Sequence, residues 1–333
     1  MRRVLLALAV LAATTIIPAS QNAEVGAQEA TTLRIATLAP RGSTWMRVFN
    51  AWNGELRRAT DNQLSLRFYP GGVAGDEADF IRKIRAGQMD GAAVTTTGLG
   101  QIVRPVLVLT VPGLFQQYRQ LDRARNALSD ELNGLFEENG YVNLGWGDVG
   151  RARIFSTEAI RRPQDLRSSR PWAWREDVVF SQFLSTVGAN PVRLGVPEVY
   201  PALQTGQVNA VPASALAAVS LQWHTRFTHV TQQTSSVIIG ATILRKETFD
   251  GLSEAHQTAL TETANRAHAL LSRAIRRDDD RAYDAILERG VTAVDTDPHR
   301  SEWESAGRQT REALVGRLYS RELLNRVTRA AGN

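Results

Sequence analysis

The 333-residue sequence predicts an α/β protein of two lobes joined by crossing strands, and three observations support this. Strand-like and helix-like periods alternate over residues 32–146, and the alternation starts again over residues 153–211. A helical pattern then runs from 253 to 288, the longest predicted element of the chain. An apolar strand pattern at 235–244 precedes that helix, and we expect it to return from the second lobe to the first.

The first residues have the composition of a secretory signal peptide. Arg2 and Arg3 precede an apolar run from Val4 to Ile17, and small residues follow it. We predict a signal peptide over residues 1–27, with cleavage after Ala27, or alternatively after Ala19. The competing interpretation is an uncleaved membrane anchor, but the apolar run is shorter than the roughly 20 residues of a spanning helix.

The first lobe begins with a β-α-β unit. Residues 32–38 alternate apolar and polar side chains, as a half-buried strand does. Ser43 is placed to cap a helix whose apolar residues recur every three or four positions, and alternation resumes at 64–68. The rest of the lobe is predicted to contain a helix, a strand, a second helix capped by a glycine and an outgoing strand, at 76–86, 92–94, 118–139 and 141–146.

The second lobe repeats this organisation. In order, we predict two strands, a helix, a strand, a helix and a strand, at 153–156, 172–174, 176–187, 191–194, 197–204 and 208–211. The long helix is capped by Ser253 and ends before Gly290. These elements place the domain boundaries as follows: lobe I comprises 31–148 and 235–265, and lobe II comprises 149–234 and 266–333.

Composition excludes several classes of protein. The sequence contains no cysteine, so disulfides, thiolate catalysis and a lipid-modified cysteine are all excluded. The net charge is +5, but nearly all of the basic residues are arginines dispersed among acidic residues. Because no basic run is interleaved with aromatic residues, we expect no nucleic-acid partner.

The sequence offers little for catalysis or for metal binding. None of the five histidines forms the i, i+4 pair of a metal site, and neither a nucleophile elbow nor a phosphate-binding loop occurs. Asp278, Asp279 and Asp280 are adjacent on a predicted helix, where consecutive side chains point about 100° apart and do not converge on one cation. We therefore expect neither a metal nor a cofactor, and no enzyme.

An aromatic group opens the second lobe. Trp172 and Trp174 face the same side of a predicted strand, Phe180 follows them, and Trp146 lies on the strand that leaves the first lobe. Large rings at such a place either fill a core or line a ligand site. The residues alone leave both interpretations open.

From Leu33 to about Ala267 the chain resembles the DctP-type solute receptors of tripartite ATP-independent periplasmic (TRAP) transporters. The segments that carry the resemblance are 74–91, 111–115, 153–166 and, above all, GANPVRLGVPEVYPALQTGQV at 188–208. The resemblance implies a two-lobed periplasmic binding protein fold with mixed sheets, crossing hinge strands and a long helix in the C-terminal half. It also implies a periplasmic receptor that closes on an organic acid and delivers it to a TRAP membrane permease.

Two polar anchors of that family are replaced here. The strand after P-x-D-L usually carries an arginine for the ligand carboxylate, and that position falls on Trp172. A downstream asparagine is replaced by Ala213. An alignment shift of two residues would instead put Arg170 at the arginine position. Since an indole does not bind a carboxylate as a guanidinium does, we expect a hydrophobic or amphipathic, lipid-like ligand.

The expected ligand-binding residues are mostly apolar or aromatic, with two arginines near a second family arginine to receive an acidic head group: Trp172, Trp174, Val196, Tyr200, Ala213, Arg151 and Arg153. A periplasmic tetratricopeptide-repeat protein, which assists some hydrophobic-ligand relatives, is a further candidate partner. The alternatives are a conventional carboxylate receptor, a periplasmic enzyme on the same scaffold, and a structural partner protein without a ligand.

Overall fold

A computed structural model describes residues 30–332, so the predicted signal peptide at 1–27 lies outside the described residues. The strands are β1 (Thr31–Thr37), β2 (Leu64–Tyr69), β3 (Gly91–Thr95), β4 (Tyr141–Ser156), β5 (Trp172–Trp174), β6 (Val192–Leu194), β7 (Ala210–Ala213), β8 (His229–Thr231), β9 (Ser236–Arg245) and β10 (Thr292–Val294). The α-helices are α1 (Thr44–Ala59), α2 (Glu77–Arg85), α3 (Thr96–Leu99), α4 (Tyr118–Glu138), α5 (Val178–Val187), α6 (Val196–Gln204), α7 (Ala215–Ser220), α8 (Lys246–Asp250), α9 (Glu254–Glu288), α10 (Arg300–Leu314) and α11 (Arg321–Ala331).

Two long strands connect the lobes. β4 has 16 residues and pairs antiparallel with β9, from Tyr141 opposite Arg245 to Ala152 opposite Ser236. Its last residues pair instead with β7 and β8 in the second lobe. The sequence analysis expected two strands here, but irregularities between Asp148 and Gly150 bend one continuous strand. Gly150 has a φ of +128°, a backbone conformation that glycine accommodates most easily.

The sheets are mixed, as predicted. The main sheet has the order β10-β8-β4-β9-β3-β1-β2, with β7 added beside β4. β1 is parallel to both of its neighbours, whereas β3, β9 and β4 form antiparallel pairs. β5 and β6 form a separate parallel pair, which a bridge between Pro171 and Ala210 joins to β7. The structure confirms the two-lobed α/β class.

The long helix predicted in the C-terminal half is α9, with 35 residues and a length of about 50 Å. The Ser253 side chain caps it by accepting a hydrogen bond from the backbone of His256 at 3.3 Å. The helix packs on α1 of the first lobe, on β4 and on α7 of the second lobe. Among the helices of residues 30–332, none is long and apolar enough to cross a membrane.

The C-terminal helices divide between the lobes. α10 packs on α5, in the second lobe. α11 packs on α4 instead, and Leu323, Leu324 and Val327 join the apolar core of the first lobe. The sequence-based boundaries assign the whole of 266–333 to lobe II, so the placement of α11 differs from them. Its core residues bury apolar surface against α4, which lies almost 200 positions earlier in the chain.

Candidate functional site

A cavity of about 620 Å³ lies between the two lobes. The first lobe contributes the segment after β1 and the junction of β3 with α3, and the second lobe contributes β5, β7 and the start of α6. Parts of β4 and β9 line it where the two lobes meet. Its volume is in the usual range of cavities for small organic ligands, roughly 300 to 1,000 Å³.

Six of the seven sequence-predicted site residues line this cavity. They are Trp172, Trp174, Val196, Ala213, Arg151 and Arg153. Tyr200 is not among the lining residues. Its hydroxyl accepts a hydrogen bond from Arg226 at 3.0 Å, and the Arg226 guanidinium lies 5.2 Å from the ring centroid. Tyr200 is thus occupied in a contact with the segment after α7.

Three tryptophans form one wall of the cavity. The Trp172 ring stacks on Trp174 with centroids 6.1 Å apart, and Trp223 meets Trp172 edge-on at 5.5 Å. Trp172 is 4% exposed, and its indole Nε1 donates to the carbonyl oxygen of Leu194 at 3.0 Å. Because the only polar atom of that indole is satisfied by the backbone, the ring faces of Trp172 are held in a fixed, apolar arrangement. Trp172 therefore belongs to a buried apolar cluster and also lines the cavity.

Arg170 does not reach the cavity. It is exposed, and its Nε donates to the carbonyl oxygen of Gly206 at 2.7 Å. Of these two residues, Trp172 lines the cavity and Arg170 does not.

Both cavity-lining arginines of β4 are partly engaged by α9. Arg151 pairs with Asp280 on α9, and its side chain is 29% exposed. Arg153 lies over the ring of Tyr283, 4.0 Å from its centroid, and its Nη1 is inaccessible and has no hydrogen-bond partner. Burial, followed by the nearby Arg151, holds the pKa of Arg153 below its ordinary value. Alternation along the strand sends both side chains toward α9.

Several lining residues were missed by the sequence analysis. Trp45 and Phe49 belong to the apolar period that predicts α1, and neither they nor Trp223 were expected at the site, yet all three line the cavity. A second aromatic ladder lies at another part of the wall, where Phe183 stacks on Phe180 at 5.8 Å and on Trp303 at 6.0 Å. Of this ladder, the sequence analysis had singled out Phe180 alone. Trp146, also singled out, packs on Phe136 instead, with ring centroids 6.2 Å apart.

A buried glutamate lines the cavity on the first-lobe side. The carboxylate of Glu77 accepts hydrogen bonds from the backbone and the hydroxyl of Thr95, at 2.7 and 2.9 Å, and from the backbone of Gly98 at 2.8 Å. Despite these bonds, burial raises the pKa of Glu77 to about 8. Burial thus disfavours the charged form of Glu77, whereas the hydrogen bonds from Thr95 and Gly98 favour it.

An ion-pair network fixes the middle of β4. The side chain of Asp148 is fully buried and receives Arg125 of α4 at 2.9 Å and Arg276 of α9 at 2.5 Å. Both arginines also pair with Asp122. The network joins the hinge strand to a helix of the first lobe and to the long helix, so it fixes the strand at the point where the lobes diverge.

The three adjacent aspartates of α9 have three different environments. Asp278 accepts a hydrogen bond from the Thr44 hydroxyl, Asp279 accepts from the backbone of Arg151 and Leu216, and Asp280 pairs with Arg151. Burial raises the pKa of Asp279. No group of three or more His, Cys, Asp or Glu side chains within residues 30–332 is arranged to hold a metal ion.

A family profile and a curated relative both identify this chain as similar to bacterial solute-binding proteins. The profile of the bacterial extracellular solute-binding protein family 7, DctP, matches residues 35–315. The 2,3-diketo-L-gulonate-binding periplasmic protein YiaO of Escherichia coli K12 is 25% identical over 273 residues, which cover 79% of this chain and 81% of that protein.

Solved structures agree with the fold. A TRAP periplasmic solute binding protein from Sulfitobacter sp. NAS-14.1 with bound β-D-galacturonate superposes with a TM-score of 0.83 at 20% identity, covering 91% of this chain and all of that one. The sugar acid binding protein DctPAm from Advenella mimigardefordensis with galactonate gives 0.86 at 17% identity, covering 91% and 98%. These receptors share the two-lobed fold. Because the family profile covers most of the sequence, the chain belongs to the DctP family of bacterial extracellular solute-binding proteins and is a solute-binding protein, not an enzyme.

Proposed function

We propose that this protein is the periplasmic receptor of a TRAP transporter for an organic acid with a large apolar body. The observation that carries the proposal is the Trp172, Trp174 and Trp223 cluster in the cavity wall. Stacked rings favour a ligand that presents a flat or bulky apolar surface, because burying that surface is favourable and the rings offer few hydrogen-bond partners.

The acid group is supported by the relatives. The E. coli protein is named for binding 2,3-diketo-L-gulonate, and the two solved receptors hold galacturonate and galactonate. All three ligands are organic acids with polar, hydroxylated bodies. The comparisons therefore favour the carboxylate receptor over the lipid-like ligand that the sequence analysis preferred, and the aromatic wall favours a less polar body than those relatives bind.

Arg151 is our candidate partner for the acid group. It lines the cavity, and its ion-pair partner Asp280 has a side chain that is 53% exposed. An exposed ion pair contributes only about 0 to 1 kcal/mol, so a ligand carboxylate can replace Asp280 at little cost. A charge-assisted hydrogen bond then contributes roughly 1.5 to 3 kcal/mol to binding.

The test is a calorimetric titration of the purified protein with phenylacetate, galacturonate and laurate. We expect phenylacetate to bind more tightly than galacturonate. Arg151→Gln should weaken phenylacetate binding by about 10- to 100-fold, the factor that corresponds to a lost charge-assisted bond. Arg58→Gln, at an exposed position near the end of α1, is the matched control and should leave binding unchanged. Tighter binding of galacturonate would contradict the apolar-body proposal.

A second candidate is a receptor for a neutral or lipid-like molecule, for which the engaged guanidinium groups of Arg151 and Arg153 are the favouring observation. In that case 2-phenylethanol should bind as tightly as phenylacetate, and Arg151→Gln should change neither affinity. Laurate binding without phenylacetate binding would favour the lipid-like ligand of the sequence analysis. In every case we expect delivery to a TRAP permease.

A further inference from the structure

One carboxylate bridges the lobes at the edge of the cavity. Asp76 precedes α2 in the first lobe, where its Oδ1 accepts a hydrogen bond from the backbone of Glu77 at 2.8 Å. Its Oδ2 accepts two bonds from the second lobe: from the indole Nε1 of Trp174 at 2.9 Å and from the backbone N–H of Val196 at 3.0 Å. The Asp76 carboxylate therefore accepts hydrogen bonds from both lobes.

The three donors explain why a carboxylate is suited to this position. The first N–H groups of a helix have no partner within the helix and carry partial positive charge. Glu77 is the first residue of α2 and Val196 is the first residue of α6, so one anion satisfies an N-terminal group in each lobe. Hydrogen bonds to an ionised acceptor are roughly twice as strong as neutral ones.

A glycine permits this close approach. A Cβ atom built on Gly195 would lie 2.5 Å from Oδ2 of Asp76, which is closer than real contacts allow. A Cβ on Gly72 would lie 3.3 Å from the Pro197 ring, a tight contact. At both positions a glycine leaves room for a side chain of the other lobe.

We propose that Asp76 is a latch that holds the lobes closed and a positioning residue that fixes Trp174 in the cavity wall. In this arrangement, contacts of the protein itself stabilise the closed form before any ligand is bound. The ligand then binds to a partly populated closed state, and its apparent affinity rises in proportion to that population.

The experiment measures the distance between the lobes in the ligand-free protein. Because the chain has no cysteine, Ala59→Cys and Ser185→Cys, at exposed sites of α1 and α5, give a specific pair for spin labels. Double electron–electron resonance then reports the distribution of closed and open distances.

Two variants weaken the contact. Asp76→Asn keeps one oxygen to cap α2 but turns an N–H₂ group toward the donors of Trp174 and Val196. Trp174→Phe removes one donor and keeps an aromatic ring.

The matched control is Asp90→Asn. Asp90 is also a partly buried carboxylate, but it pairs with Arg34 within the first lobe at 2.9 Å.

We expect a closed population in the otherwise unchanged protein. Most of that population should shift to longer distances in Asp76→Asn, and a smaller part should shift in Trp174→Phe. Asp90→Asn should lower the melting temperature without moving the distances. The same distribution in all four proteins, or a ligand-free protein that is open from the start, would overturn the latch. Because no ligand is used, this outcome is independent of the proposed function.

Discussion

Trp172 and Trp174 stack with their ring centroids 6.1 Å apart on a strand of only three residues. Each indole is held by a different partner, Trp172 by the Leu194 carbonyl and Trp174 by the Asp76 carboxylate. The first partner lies in the same lobe and the second across the cleft. One indole of the stacked pair is therefore held from each side of the cleft.

The first prediction concerns Trp172→Arg, which introduces a guanidinium at the position where the resemblance to the family implies one. We expect weaker binding of phenylacetate by about tenfold or more, because loss of the indole removes roughly 1.5 to 3 kcal/mol of apolar burial. Binding of galacturonate should improve relative to phenylacetate, since a guanidinium forms bidentate bonds with a carboxylate. Isothermal titration calorimetry measures both affinities.

The control for this change is Trp52→Phe. Trp52 is buried in α1 and donates to the Thr263 hydroxyl at 3.1 Å, but it is not a cavity-lining residue. This variant should lose stability and keep its ligand preference. Unchanged phenylacetate affinity in Trp172→Arg would show that the indole does not contact the ligand.

The second prediction concerns the ion-pair network around Asp148. Asp148→Asn leaves Arg125 and Arg276 with one carboxylate fewer in a buried setting. Breaking a buried pair costs about 3 to 5 kcal/mol, because the remaining charge stays desolvated. Urea unfolding should show a loss of that size.

Asp280→Asn provides the comparison for an exposed pair. Its side chain is 53% exposed, so the loss should be no more than about 1 kcal/mol. Equal losses in Asp148→Asn and Asp280→Asn would mean that the network does not stabilise the hinge strand.

Local patterns predicted much of the fold. Ser43 and Ser253 cap α1 and α9 as expected, because capping depends on residues within one turn. The sequence analysis predicts no helix or strand after Gly290, where α10 and α11 lie. α10 contains few apolar residues among its charged ones, so it lacks the periodic stripe on which such assignments depend. Its position is set by packing on α5, more than a hundred residues earlier.

The site shows the same division between local and distant information. The resemblance to DctP receptors, and not residue types alone, suggested Trp172 as a site residue, and Trp172 lines the cavity. Arg151 and Arg153 lie two positions apart on β4, so they share one face of the strand. The direction of these two side chains depends on α9. Asp280 of that helix pairs with Arg151, and the ring of Tyr283 lies under the guanidinium of Arg153. That contact joins residues about 130 positions apart, and no local pattern encodes it.

The third prediction concerns the pH dependence caused by Glu77. Its pKa is raised to about 8 in the folded protein, so the folded state holds a proton more tightly than the unfolded state does. The resulting stabilisation is complete below the unfolded pKa of about 4.3 and is lost as the pH rises through 8. Glu77→Gln should flatten this part of the curve of melting temperature against pH.

Glu247→Gln is the control for this prediction, since that side chain is 76% exposed. A wild-type curve as flat as that of Glu77→Gln would contradict the raised pKa.

The last prediction concerns His268. Its stabilisation is lost as the pH falls, whereas that of Glu77 is lost as the pH rises. The imidazole is buried; Nδ1 lies 2.8 Å from the Ala264 carbonyl oxygen and Nε2 lies 2.8 Å from the Thr242 hydroxyl. Burial lowers its pKa to about 4, despite the bond to Ala264. The neutral ring donates to the carbonyl and accepts from the hydroxyl, so both nitrogens are satisfied without a charge.

Because this pKa is depressed, the stabilisation is present above the unfolded pKa of about 6.5 and is lost as the pH falls toward 4. Unfolding measured by calorimetry from pH 7 to pH 4 should show a falling melting temperature, and His268→Gln should reduce that slope while lowering stability at pH 7. His256→Gln, at a partly exposed position in the first turn of α9, should leave the slope unchanged. If His268→Gln kept the full slope between pH 7 and pH 4, the buried imidazole would not be the source of the acid sensitivity.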